Sequence, residues 1–190
     1  MKKLLLSVVV MAVAAANSLA AQEEEKLPPS KQTKAGLYVT AKQAYEQWKA
    51  DPKEIKILDI RTPEEYIFVG HPEMAVNIPF LVIESSWSED KRGPVLGPNK
   101  KFVEQVKEVY KPTDTILITC RSGGRSARAA DILAEAGFKK AYTVTDGFEG
   151  DKQRDATAKD YGKRTVNGWK NSDIPWTYSV NPELIHTPGE

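Results

Sequence analysis

The chain has 190 residues, with 27 Lys and Arg against 26 Asp and Glu, and its formal charge of +1 offers no basis for a nucleic-acid partner. A single cysteine rules out an intrachain disulfide and a dithiol redox mechanism. Residues 1–20 read as an export signal: Lys2 and Lys3 precede an apolar core from Leu4 to Ala16, and small residues close the segment at Ser18-Leu19-Ala20. Cleavage after Ala20 removes two of the 27 basic residues and leaves 25 against 26 acidic ones, a net −1. The expected product is a soluble periplasmic protein with no membrane partner. Its roughly 170 residues are enough for one α/β domain that buries roughly 70% of its unfolded surface.

Residues 21–36 are charged, contain proline and lack periodicity, which predicts a flexible leader. The folded domain is expected over 37–178, with a tail over 179–190. Thr40 caps a helix over Ala41–Lys49 whose apolar face carries Ala44, Tyr45 and Trp48. Ile55–Ile60 is a strand, and Thr62 with Glu65 forms a capping box around Pro63, a strong helix start. Glu84–Pro98 turns polar and holds two Gly-Pro pairs, which predicts a long surface loop, with Trp87 either covering a site or pinning its own loop. Asn99 caps a helix over Lys100–Tyr110 with Phe102, Val103, Val106 and Val109 as its buried stripe.

Thr115–Thr119 is short, apolar and β-branched, the pattern of a strand covered on both faces. The helix after it places Ala129, Ile132, Leu133 and Ala136 on one face and ends at Gly137. Ala141–Val144 is the last strand. A polar insert over 151–166 follows, and its Asp151, Asp155 and Asp160 lack the spacing of a calcium loop, so no metal is expected there. The insert reads as a surface elaboration that shapes access or docks a partner. Alternating strands and helices predict an α/β fold, a central parallel sheet with helices on both faces.

Cys120-Arg121-Ser122-Gly123-Gly124-Arg125 lies where a strand end meets a helix N-terminus. The unpaired N–H groups of such a junction form an anion nest, the glycines permit the dihedrals that aim them inward, and both arginines add positive charge. That setting favours the thiolate, the nucleophilic form of cysteine. A buried structural cysteine is the alternative, and it has no use for two glycines and two arginines. A tyrosine-phosphatase loop needs Arg six positions after Cys. Here Arg125 stands at five and Ser126 at six, with Thr119 where those enzymes have His.

CRSGGR resembles the active-site loop of the rhodanese sulfurtransferases, of the Cys-Arg-x-Gly-x-Arg type. The resemblance extends to Asp59, Arg61, Glu65, Tyr66, Gly70, His71, Ala75, Asn77, Ile78 and Pro79, to Gly147-Phe148, and to the ending Gly168–Trp176 displaced by the insert. Met74 and Asp146 stand where the family has Gly. It implies a rhodanese-like α/β/α domain and a sulfurtransferase with Cys120 catalytic and Arg121, Ser122, Gly123, Gly124 and Arg125 binding substrate, without cofactor or metal. Asp59, Arg61 and Glu65 are expected to form a buried polar framework, with His71 structural. The implied reactants are a thiosulfate-like donor and a cyanide or thiol acceptor. The alternative is a periplasmic module that carries a persulfide to a protein acceptor with little small-molecule turnover.

Overall fold

The computed structural model describes residues 27–90 and 92–186, so the expected export signal over 1–20 lies outside the described residues. Its elements run β1 (Tyr38–Val39), α1 (Ala41–Ala50), β2 (Ile55–Asp59), α2 (Pro63–Val69), β3 (Val76–Asn77), β4 (Leu81–Ser88), β5 (Gly93–Pro98), α3 (Phe102–Val109), β6 (Thr115–Thr119), α4 (Gly124–Glu135) and β7 (Ala141–Val144). Five strands form a parallel sheet in the order β1-β7-β6-β2-β3. β6 is therefore central, and β2 and β7 each deliver a C-terminal loop beside Cys120. In parallel sheets this carboxyl edge is where ligands bind.

Successive residues of β2 and β6 face opposite sides, which creates two cores. Leu58, Ile116 and Ile118 pack with Phe102, Val106 and Leu133, whereas Ile57 and Leu117 pack with Ala44, Tyr66 and Trp169. Strands buried on both faces need adjacent apolar residues, hence Ile57-Leu58 in β2 and Ile116-Leu117-Ile118 in β6. Both N-terminal capping boxes form: Thr40 with Gln43 on α1 and Thr62 with Glu65 on α2.

Four expectations need correction. Glu84–Pro98 is mostly the antiparallel hairpin of β4 and β5 rather than an open loop, with Trp87 60% exposed on it. A two-stranded ribbon leaves outward N–H positions free, so Pro94 and Pro98 are tolerated. α3 starts at Phe102, two residues later than expected; the Asn99 side chain accepts from Lys101 N and donates to Pro79 O and Gln105 Oε1. Val109 is 37% exposed, and Gln105 takes a buried place instead. Residues 27–36 of the expected leader contain a 3-10 turn at Pro29–Lys31, tied to the domain by Lys31 with Asp151 and by Lys34 N with Asp131. At the other end, the expected tail returns to the sheet edge, where His186 N donates to Asn77 O at 2.9 Å.

The insert leaves and rejoins the fold at one point. Gly150 and Gly168 have φ of 83° and 91°, and a Cβ on either would strike the other connection's backbone. Trp169 N then donates to Gly147 O and Lys170 N to Phe148 O, each at 2.9 Å, which buries Trp169 fully. Asp146 secures the junction by accepting from Ala41 N at 2.7 Å and Gly168 N at 3.0 Å.

Beneath the carboxyl edge lies a fully buried ion pair, Asp59 with Arg61, at 2.6 Å. Arg61 also donates to Gly70 O at 2.8 Å, and its guanidinium lies 4.2 Å over the Phe148 ring. Arg61→Met leaves the Asp59 charge buried without its partner, and the expected cost is roughly 3–5 kcal/mol in urea unfolding. A loss below about 1 kcal/mol would mean that water or another donor replaces the guanidinium.

Candidate active site

Cys120 follows the last residue of β6 and is only 1% exposed. Its Sγ accepts from Gly123 N at 3.2 Å and from Ser126 N at 3.4 Å, and the thiol lies 3.6 Å from Ser126 Oγ. Gly123, the residue before α4, has φ of 97°. This left-handed conformation turns its amide back toward sulfur, and a Cβ there would strike Thr145 O. Among the described residues, the N–H groups of Ser122, Gly124 and Arg125 meet no protein acceptor, as the first turn of a helix dictates. The loop thus presents a concentration of amide dipoles around one sulfur atom.

A second segment holds the loop from behind. Phe148 N donates to Cys120 O at 2.7 Å, and Glu149 N and Gly150 N both donate to Arg121 O, at 2.9 and 3.3 Å. These bonds fix the peptide planes of Cys120 and Arg121 just ahead of the turn from which Gly123 N reaches Sγ. Gly147 fits only because it lacks a side chain: a Cβ would lie 2.6 Å from both Cys120 O and Ser122 N.

The two loop arginines do different things. Arg125 makes a bidentate pair with Glu65 at 2.6 and 2.7 Å, joining α4 to α2. Burial alone would raise the Glu65 carboxyl, but the Arg125 hydrogen bonds and charge, helped by Thr62 and Arg61, hold it below the usual glutamate value. Burial disfavours the Arg125 cation too, and Glu65 outweighs it and raises the guanidinium. Arg121 is exposed and Ser122 half-buried.

Of the wider set, Asp59, Arg61 and Glu65 occupy ion pairs, and His71 is buried with Nδ1 2.9 Å from Tyr66 O and its ring stacked on Tyr66 at 3.6 Å. His71 thus braces α2 away from the sulfur. Asp151, Asp155 and Asp160 do not converge: they engage Lys31, Thr157 and Thr165 respectively. Ser126 is the participant that sequence reasoning missed. Its Oγ donates to Gly123 O at 2.9 Å and lies 2.7 Å from Thr143 Oγ1. A serine in the first turn of a helix that starts at a cysteine loop was the available signal.

The rhodanese-like domain model matches residues 40–154. Senescence-associated protein DIN1 from Raphanus sativus is 34% identical over 93 residues, 49% of this chain and 46% of that protein. Thiosulfate sulfurtransferase 18 from Arabidopsis thaliana is 40% identical over 93 residues, 48% of this chain and 62% of that one. The chain therefore spans between 46% and 62% of these two relatives. The crystal structure of Rv0390 from M. tuberculosis superposes with a TM-score of 0.58 at 28% identity, covering 75% of this chain and 97% of that one.

The Glu65–Arg125 pair gives a pH prediction. Because the folded Glu65 pKa is lowered, its stabilisation is fully present above the ordinary glutamate value of 4.5 and is lost as pH falls through the lower folded value. Glu65→Gln keeps a capping oxygen but loses the charge, at an expected cost of roughly 1–3 kcal/mol at pH 7. Denaturant unfolding at pH 7 and pH 3 should show the gap between wild type and variant shrinking in acid; a constant gap contradicts the ionic origin.

Proposed function

The chain belongs to the rhodanese-like family, and from that membership and the loop geometry we propose that it is a sulfurtransferase carrying sulfane sulfur as a persulfide on Cys120. The observation that supports this most directly is the donation of Gly123 N and Ser126 N to Sγ at a helix start, flanked by Arg121 and Arg125. These donors are laid out for an anionic sulfur.

In the first half-reaction the Cys120 thiolate attacks the outer sulfur of a donor such as thiosulfate. A bond from Sγ to that sulfur forms, the donor S–S bond breaks, and its electron pair leaves with sulfite. Arg121, exposed at the loop, draws in the anionic donor. The amides of Ser122, Gly123 and Gly124 hold the charge that moves onto the new outer sulfur. In the second half-reaction cyanide or a thiolate attacks the outer sulfur, and the electron pair of the breaking S–S bond returns to Sγ. Arg125 braces the loop through Glu65 and contributes its field. The proposed compartment is the periplasm, on the strength of the Lys2–Ala20 pattern.

Intact mass before and after thiosulfate, followed by a cyanide chase, tests the cycle. Wild type should gain one sulfur and lose it to cyanide, while Cys120→Ser gains none. Loading that neither cyanide nor a small thiol discharges would replace turnover by the alternative role, a persulfide carrier for a protein acceptor. Sulfur gain retained in Cys120→Ser would refute the mechanism.

A further inference from the structure

Beside the cysteine loop lies a pocket of about 480 Å³ whose lining includes Arg121, Glu149, Lys152, Arg164, Lys170 and Asn171. Four cations face one carboxylate. Lys152 and Arg164 come from the insert, so this charge is not built by the cysteine loop alone. The insert's two edges are tied together here, with Gln153 N donating to Lys163 O at 2.8 Å and Gly162 N to Gln153 O at 2.9 Å, so Lys152 and Arg164 are presented from a paired ribbon.

Two of the four cations, Arg164 and Lys170, are held in place. Arg164 donates to Gly150 O at 2.6 Å. Lys170 donates to Val69 O at 2.8 Å, with its ammonium 4.5 Å from the Trp176 ring centroid. Burial lowers the Arg164 pKa, and the like charge of Arg121 lowers it further, while Glu149, Asp151 and Cys120 act in the opposite sense. Arg164 is therefore within electrostatic reach of both the loop arginine and the reactive sulfur. Crowded cations around a cavity repel one another until an anion enters.

Small-molecule sites run from roughly 300 to 1,000 Å³. The pocket is open to solvent and has room for a ligand larger than cyanide or thiosulfate. Glu149 gives the site a second polarity, able to accept from an ammonium group. The set matches a molecule of peptide size with two carboxylates and one ammonium.

Resting on the sulfurtransferase reading, we propose that the insert forms a recognition subsite for an anionic, peptide-like thiol with two carboxylates, the acceptor of the sulfur carried by Cys120. Arg164, Lys152 and Lys170 hold its carboxylates, and its thiol arm reaches past Arg121 to the loop. The acceptor thiolate attacks the outer sulfur, a new S–S bond forms, the bond to Sγ breaks, and its electron pair returns to Sγ. The acceptor leaves as a persulfide with the outer sulfur and any proton it carried.

Glutathione has this chemistry and serves as the probe, with its diethyl ester as a control of the same thiol with masked carboxylates. Binding is read separately from transfer by calorimetry on the full chain with S-methylglutathione, which cannot react, and with the corresponding diethyl ester. The acid should bind saturably and roughly tenfold more tightly than the ester, and Lys152→Glu or Arg164→Gln should each weaken it roughly fivefold to tenfold. Arg164→Lys should retain most of the affinity. Lys152 is exposed, so Lys152→Glu carries the test if Arg164→Gln fails to fold. Discharge of the loaded persulfide should show the same preference for glutathione over its ester. Equal affinity for acid and ester, no saturable binding, or no effect of Lys152→Glu overturns the subsite. Selective binding by a chain that never loads sulfur supports the anion subsite and overturns the transfer reading instead.

Discussion

Everything around Cys120 depends on where two carbonyls point. Cys120 O is held by Phe148 N, and Arg121 O is shared by Glu149 N and Gly150 N. Fixing these oxygens fixes the two peptide planes that lead from the cysteine into the turn, where Gly123 N reaches Sγ at 3.2 Å. The loop therefore takes much of its geometry from backbone hydrogen bonds made by the segment after β7, with Arg125 bracing it through Glu65 and Ser126 Oγ donating to Gly123 O. Gly147 allows that approach, because a Cβ there would lie 2.6 Å from Cys120 O and Ser122 N. Residue identity in the loop supplies sulfur and charge; much of the shape comes from a neighbouring strand's loop.

That neighbouring segment is itself anchored to a buried ionic framework. Phe148 stacks on Arg61, Arg61 pairs with Asp59 at the end of β2, and Arg61 Nη1 lies 3.4 Å from Glu65 O on α2. Glu65 in turn grips Arg125 on α4. A path of contacts thus runs from β2 through α2 to both sides of the cysteine loop. Buried ion pairs seldom add much net stability over apolar packing, but each partner is costly to remove alone. The arrangement suits a site whose positions matter more than its contribution to folding energy, since every member loses its partner if one element shifts.

Much of this was legible in the sequence where the signal was local. β6 and β7 fall at their expected bounds, because an apolar β-branched run between turn residues has few other readings, and the Thr62–Glu65 box starts α2 as its spacing requires. The hairpin of β4 and β5 was illegible because Gly-Pro pairs normally break strands, and only its lack of further neighbours makes them harmless. In the site, Cys120, Gly123 and Arg125 were readable from the loop motif. Ser126 was less so, because its role depends on the amide of the first helical turn rather than on its side-chain type. The closeness of Arg164 to Arg121 was beyond reach: it arises from Gly150 and Gly168 closing the insert, a tertiary contact with no local pattern.

This closure separates two tasks in the molecule. The amides that face sulfur are backbone groups, and almost any sequence of the right shape supplies them. The positive charge over the adjoining pocket comes partly from side chains on an excursion whose ends are pinned within a few ångströms of each other. Loops anchored in this way change length and composition with little effect on the elements they join. Here the pinning is strengthened by Asp146, which ties Gly168 to the start of α1, and by Lys31, which pairs with Asp151 at the insert's first residue. Charge beside Cys120 can therefore change on the insert without disturbing the backbone of the cysteine loop. In the proposed sulfurtransferase this division assigns selectivity to the insert and the sulfur chemistry to the loops at the sheet's carboxyl edge.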